Sequence, residues 1–269
     1  MGNERDIWQG DLPGVFFLAG TSDARELAVH MKQKGFAPLA SVVTESAAHR
    51  LREVGIAVRV GRLNLEAMGA LLTTPTIKVL VDASHPFAEE AHRTAQQAAE
   101  IAGIAYVRYE RPPKAYNHPL VTQVDTYEGA ARVALDRRGN VMLTTGGKTI
   151  GIFTKSLLGL PDVRLVVRLL PNAENMEKCA QLGMDARDIV GMQGPFSREL
   201  NQALYRQYQI TLMVTKESGD QGAMDEKVEA ALDLGIEVVI IRRPKLSYNN
   251  FYSTYDDLIE AVKRFIGRG

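Results

Sequence analysis

The 269-residue sequence is notable first for what it lacks: disulfide-forming cysteines, surplus charge and any long apolar run. Its one cysteine, Cys179, excludes an intramolecular disulfide framework and is too little for a cysteine-built metal site, so it reads as a structural thiol. The 32 basic residues are matched by 32 acidic ones, which leaves no global field to recruit nucleic acid or a membrane surface. An anionic ligand must therefore be held by locally placed charge. No apolar stretch approaches a membrane span, and the polar opening at Met1 to Gly10 has no secretory core, so the chain reads as cytoplasmic. Low-complexity tracts and short solenoid-like repeats are also missing.

Several catalytic signatures are absent too. The loop Ala19-Gly20-Thr21-Ser22-Asp23 keeps only one of the glycines of the dinucleotide fingerprint. Gly146-Gly147-Lys148-Thr149 resembles the end of a phosphate-binding P-loop, but the required first glycine falls on Met142, which excludes a Walker-type NTPase. No serine elbow or cysteine pair offers a nucleophile. His85 and His92 lie near carboxylates without a further ligand cluster, so no metal is expected. Hydride transfer fits this silence, because there the cofactor carries the chemistry and the protein mainly orients it.

What is present is an alternation of short apolar or β-branched runs with amphipathic helical patterns, the signature of parallel βαβ units. The first half reads as strands at 15–18, 38–43, 57–60, 79–81 and 105–108, with helices at 23–34, 47–54, 65–72 and 87–102. A stretch with three prolines and no periodicity, Arg111 to Pro119, looks like a domain linker. The second half repeats the rhythm, with strands at 140–144, 163–169, 189–191, 211–214 and 237–241 and helices between and after them, the last at 255–267. The expected fold is α/β, two Rossmann-like doubly wound parallel-sheet domains with the active site in the cleft between them, divided as residues 1–112 and 113–269.

In such sheets ligands sit outside the carboxyl ends of the strands. Two junctions stand out there. In the first, Gly20 lets backbone approach a pyrophosphate, the following helix points amides and a positive dipole end at it, and Thr21 and Ser22 add hydroxyls. A plainer reading has Ser22 or Asp23 simply capping the helix. The second is Asp82-Ala83-Ser84-His85-Pro86-Phe87-Ala88, where Pro86 stiffens the turn into a fixed shelf. At the end of the second strand, Thr44 and Ser46 flank Glu45. If the segment is extended, the hydroxyls face a ribose 2′-phosphate and Glu45 faces away, with Arg50 or Arg62 to neutralise the phosphate. That favours NADPH over NADH.

Gly20 to Arg25, Asp82 to Ala88, Glu110-Arg111-Pro112, Thr144-Thr145-Gly146, Gly194-Pro195-Phe196, Thr215 to Gly219 and Arg242-Arg243-Pro244 occur in the order found in precorrin-6A reductases, the cobalt-precorrin-6A reductases included. The chain resembles that family from Val15 to Pro244. It departs mildly from the usual pattern, with Ala19 before Gly20, Asp23 where Glu is common and Ser84 where Thr is common. The resemblance implies a cobalamin-biosynthetic enzyme that reduces a double bond of a corrin-ring precursor, precorrin-6A or its cobalt form, with a nicotinamide cofactor. It implies that Gly20, Thr21, Ser22, Asp23, Thr44, Ser46, Gly61, Arg62, Ser84, His85, Pro86 and Phe87 hold the cofactor. It also implies that loops of the second half, with Thr145, Gly146, Gly194 and Ser218, face the tetrapyrrole. Arg111, Lys148, Arg198, Lys216 and Arg242 are the cations expected to hold its carboxylates. No residue stands out as proton donor. A nucleotide-binding transferase or isomerase, or a non-catalytic dinucleotide sensor, remain the alternatives that fold alone leaves open.

Overall fold

A computed structural model describes residues 14–112, 116–217 and 221–267. The chain divides into two compact units, one made of Met1–Pro113 with Pro244–Gly269 and the other of Lys114–Arg243.

In chain order the first unit begins β1 (Gly14–Leu18), α1 (Ser22–Gln33), β2 (Ala37–Val42), α2 (Glu45–Arg52), β3 (Ala57–Val60), α3 (Leu65–Leu72), β4 (Ile77–Asp82), α4 (Glu89–Ala102) and β5 (Ala105–Tyr109). The second unit supplies β6 (Val121–Val124), α5 (Tyr127–Arg137), β7 (Gly139–Leu143), α6 (Ile150–Leu157), β8 (Val163–Leu169), α7 (Ala173–Gln181), β9 (Ile189–Gly191), α8 (Arg198–Gln207), β10 (Leu212–Lys216), α9 (Gln221–Asp233) and β11 (Glu237–Ile241). The chain then adds β12 (Phe251–Tyr252) and α10 (Tyr255–Ile266).

Each unit holds a six-stranded sheet, ordered β3-β2-β1-β4-β5-β12 in the first and β9-β8-β7-β10-β11-β6 in the second. Every pairing is parallel. Strands of such a sheet are covered on both faces and read as unbroken apolar runs, as the wholly buried β1, Gly-Val-Phe-Phe-Leu, does. In the first sheet one face packs Val15, Phe17, Val79 and Val81 against Leu27 and Met31 of α1 and Leu258 and Val262 of α10. The other packs Phe16 and Leu80 against Met68 and Leu72 of α3 and Ala95, Ala98 and Ala99 of α4. In the second unit Met142, Val166, Met213 and Val238 pack with Tyr205 of α8 and Val228 of α9. Both sheets are therefore doubly wound, as the alternation of patterns predicts, and strand order reverses at β1 and β4 in one and at β7 and β10 in the other.

The division differs from the expected one at its far end. Residues from Pro244 onward belong to the first unit: Arg108 N–H donates to Asn250 O (2.8 Å) and Glu110 N–H to Tyr252 O (3.0 Å), setting β12 beside β5. Behind it, α10 buries Leu258, Ile259, Ala261 and Val262. Asp256 and Asp257 in its first turn and Lys263 and Arg264 in its last oppose the helix dipole favourably. The edge strands β6 and β12, four and two residues long, are additions to the sequence reading, too short for alternation to show. Cys179 is fully buried, and burial pushes its thiol up.

Candidate functional site

Because the strands of the first sheet are parallel, the loops that follow β3, β2, β1, β4 and β5 gather on one edge. Leu18 at the end of β1 lies in register with Asp82 at the end of β4, which makes the Gly20 loop and the Asp82–Ala88 loop neighbours at the point of strand-order reversal. Ala83 N–H donates to Leu18 O (3.0 Å) and Thr21 Oγ1 donates to Ala83 O (3.5 Å). The cap of α1 is Thr21, whose Oγ1 accepts from Ala24 N–H (3.1 Å), in place of Ser22 or Asp23. Gly20 has φ +155°, a conformation that favours glycine, and a Cβ built on it meets nothing within 4 Å. Exposed backbone thus fronts open space beside the first-turn amides of α1, which have no acceptor within the helix. Ser22 Oγ is buried and unpartnered among the described residues.

The Asp82 carboxylate is a buried anchor for the second loop. It accepts from Ser84 N–H (2.9 Å), Ser84 Oγ (2.6 Å), Tyr106 Oη (2.7 Å), His92 Nδ1 (2.7 Å) and Arg108 Nη1 (3.2 Å). Burial alone would raise its pKa, but these hydrogen bonds and the Arg108 charge hold it well below the usual carboxylate range. Arg108, fully buried, also donates to Asp82 O (3.0 Å), Ser84 O (2.9 Å) and Glu110 Oε2 (2.9 Å). Burial would lower its pKa, and Asp82 and Glu110 raise it. Burial, with the Asp82 charge and hydrogen bond, pushes the Tyr106 phenol far up. Tyr248 lies against this cluster, 5.8 Å from the Arg108 guanidinium and stacked 6.2 Å from Tyr106, and burial pushes it up to about 12. The shelf is thus held from beneath: Ser84 is engaged through amide, hydroxyl and carbonyl, Pro86 is buried, and His85 Nδ1 accepts from Phe87 N–H (3.2 Å). Sequence reasoning missed this network. Its signal was Tyr106 and Arg108, two apart and so on one face of a strand otherwise apolar enough to be buried.

At the ends of β2 and β5 the structure gives several expected site residues partners that the sequence does not show. Thr44 caps α2 by accepting from Ala47 N–H (3.3 Å), so Glu45 and Ser46 are its first helical residues and do not alternate across an extended strand. Glu45 swings to Arg52 (2.9 Å). The premise that set Thr44 and Ser46 on one side and Glu45 on the other is overturned. Asp23 faces Arg111 Nε (3.2 Å), and Arg111 also meets Glu26 (3.2 Å) and Tyr255 Oη (3.1 Å), so this cation ties α1 to α10 within the first unit. Gly61 (φ +113°) and the exposed Arg62 sit at the carboxyl end of β3 on the same edge.

In the second unit the loop after β7 brings Thr145, Gly146 and Lys148 to the carboxyl edge, and β10 ends there at Lys216. Thr145 is buried with its Oγ1 2.9 Å from Thr149 Oγ1, while Gly146 takes φ +89° with open space before it. Lys216 is held below the ordinary lysine range, first by burial and then by the charge of Lys148, and the strands β7 and β10 that lead to the two lysines are neighbours in the sheet. Arg198 does not join them; it forms paired bonds to Asp233 (2.7 and 2.6 Å) and one to Glu229 (2.9 Å) on α9. Arg242 pairs with Asp125 (2.8 Å) at the surface. Gly194 is exposed in the loop after β9. Ser218 lies outside the described residues. Among the described residues no three potential metal ligands gather, and no helix is long and apolar enough to cross a membrane.

A family model described as Precorrin-6x reductase CbiJ/CobK matches residues 14–263. A cobalt-precorrin-6A reductase of Priestia megaterium is 50% identical over 248 residues, 92% of this chain and 97% of its own. One from Salmonella typhimurium is 34% identical over 256 residues, 94% of each chain. The solved structure of a CobK precorrin-6A reductase superposes with a TM-score of 0.77 at 24% identity, covering 94% of this chain and 97% of that one, which shows the shared fold. With its whole two-unit length matched in this way, the chain belongs to the precorrin-6x reductase family.

Proposed function

We propose that the protein reduces a carbon–carbon double bond of precorrin-6A, or of its cobalt form, to give the 6B level of cobalamin biosynthesis, with a nicotinamide cofactor as reductant. The observation that carries this reading is the pairing of the open Gly20 backbone with the Asp82-anchored shelf at the strand-order reversal of the first sheet, in a chain that belongs to a reductase family. Family membership disfavours the transferase, isomerase and sensor readings.

The residues present fit such a cofactor. Gly20, Thr21 and Ser22 offer backbone donors at the α1 N-terminus to a pyrophosphate, and the shelf at His85 to Phe87 walls the nicotinamide end. When bound, the cofactor supplies the hydride. The chain's own part is to orient and to exclude water, and the Asp82 network serves this by holding Ser84 at the base of the shelf through amide, hydroxyl and carbonyl. NADPH is the preferred form: Glu45 is balanced by Arg52, and the exposed Ser46, the first turn of α2 and the exposed Arg62 suit a 2′-phosphate. Lys148 and Lys216 hold carboxylates of the tetrapyrrole.

The test is oxidation of NADPH and NADH, followed by absorbance, with and without cobalt-containing and cobalt-free precorrin-6A. The reading expects oxidation only with the corrinoid. Nicotinamide titration of a folded Gly20→Val protein should show affinity lost; unchanged affinity would remove the assignment of the Gly20 loop.

A further inference from the structure

Arg168, the penultimate residue of β8, is 6% exposed and among the described residues has no carboxylate partner. Its Nη1 donates to Asn201 Oδ1 (2.6 Å), and its guanidinium lies 4.3 Å from the centroid of the Phe196 ring. Asn201, itself fully buried, is fixed by donating to Ser197 O (2.8 Å) and Phe196 O (3.3 Å), so the loop that carries Gly194 and Phe196 closes over the guanidinium. Nε and Nη2 have no acceptor among the described residues, and neither is sealed from solvent. In register, Val167 pairs with Leu143, which sets Arg168 beside Thr144 at the reversal point of the second sheet.

Two other arginines set deep in the fold have acidic partners: Arg108 has Asp82 and Glu110, and Arg243 has Glu217. Burial pushes the Arg168 pKa down, as an unbalanced charge requires. A neutral glutamine or methionine would fill the space beneath Phe196 without that desolvation cost. The cost is recovered when an anion arrives, and a guanidinium edge held flat by an aromatic ring and an amide suits two oxygens on one atom.

We propose that Arg168 is an anion anchor of the second unit, taking a carboxylate or phosphate of a ligand on its free edge. This rests on the reductase reading, and either the corrinoid's carboxylates or the cofactor's phosphates supply the chemistry. Two measurements on the full-length protein test it, each with Arg168→Gln and Arg168→Lys. In the first, melting is followed with citrate or inorganic pyrophosphate as probe. Wild type should gain stability with one of them, Gln should lose the gain while melting no lower than wild type without anion, and Lys should keep part of it. Equal gains in wild type and Gln, or no gain in wild type, would overturn the proposal. In the second, steady-state KM values should rise about ten- to a hundredfold in Gln, with kcat much less affected. A rise for the corrinoid assigns a carboxylate, and a rise for the nicotinamide a phosphate. Unchanged KM values with normal turnover would overturn the anchor and leave the reductase reading intact; no corrinoid turnover in wild type would refute that reading, while the melting data still decide the anchor. If Gln does not fold, Lys decides: part of the anion gain lost supports the anchor, and a full gain overturns it.

Discussion

Replacing Asp82 with Asn keeps the size of the side chain and removes its charge. In the wild type that charge faces Arg108 and His92, all three fully buried, and accepts five hydrogen bonds from four residues. The amide can satisfy fewer of these donors, and Arg108 keeps only Glu110 as counter-charge. Breaking a buried pair from one side costs about 3–5 kcal/mol. At about 2–4 °C per kcal/mol for a unit of this size, the melting point should fall by roughly 6–20 °C. Because the same carboxylate pins Ser84, nicotinamide affinity should fall as well, measured at a temperature where the variant remains folded. Tyr106→Phe, which removes one donor, should cost only about 1–3 kcal/mol. The pH dependence has a definite sign. A carboxyl held below its unfolded value stabilises the fold above about pH 4 and loses that contribution as the solution becomes more acidic. Wild type should therefore weaken in acid more steeply than Asp82→Asn. Circular dichroism melts between pH 3 and 7 measure this. An Asn variant that melts within 2 °C of wild type and binds nicotinamide equally would refute the assignment of Asp82 as anchor of the shelf.

Other expectations follow from the same geometry. Alanine at Lys148 or Lys216 should weaken corrinoid binding by about 1.5–3 kcal/mol while sparing the nicotinamide, read from the two KM values; the opposite pattern would reassign both loops. Since Lys216 lies below the ordinary lysine range, corrinoid KM should climb with rising pH before a normal lysine titrates, and Lys216→Arg should delay the climb. Arg111→Ala should lower the melting point and leave corrinoid KM unchanged, because Arg111 is engaged by Asp23, Glu26 and Tyr255. Leu258→Ala, in the fully buried face of α10, should cost about 2–5 kcal/mol by denaturant titration of the first unit.

The parts legible in sequence were those governed by local rules. Apolar runs such as Val15–Leu18 and Val79–Val81 had to be buried strands, and the loops following them had to share an edge. The arginines were less legible because a cation's partner is a matter of tertiary distance. Arg111 meets residues 85 and 144 positions away, and Arg198 turns to a helix 31 and 35 positions on. Around Thr44 the sequence reading assumed an extended segment, whereas the hydroxyl starts a helix, and with that the sidedness of Glu45 changed. Arg168 was invisible for a different reason: its neighbours Leu165, Val166, Val167 and Leu169 form the apolar run of a buried strand, and nothing local distinguishes a brace from an unbalanced charge.

The return of β12 and α10 to the first sheet makes the second unit an insertion within the first, and this orders events during synthesis. The ribosome delivers β1 to β5 early, yet the strand that covers the edge of β5 and the helix that covers Val79 and Val107 come from the last stretch of chain. At about 5–20 residues per second the nascent first unit waits on the order of ten seconds with that edge bare, while the inserted unit already has all six of its strands. The bare edge of β5 is a template for pairing with another nascent chain until Tyr248 and β12 arrive. Growth temperature and chaperone supply should therefore govern the yield of active protein more strongly than the stability of the finished fold does.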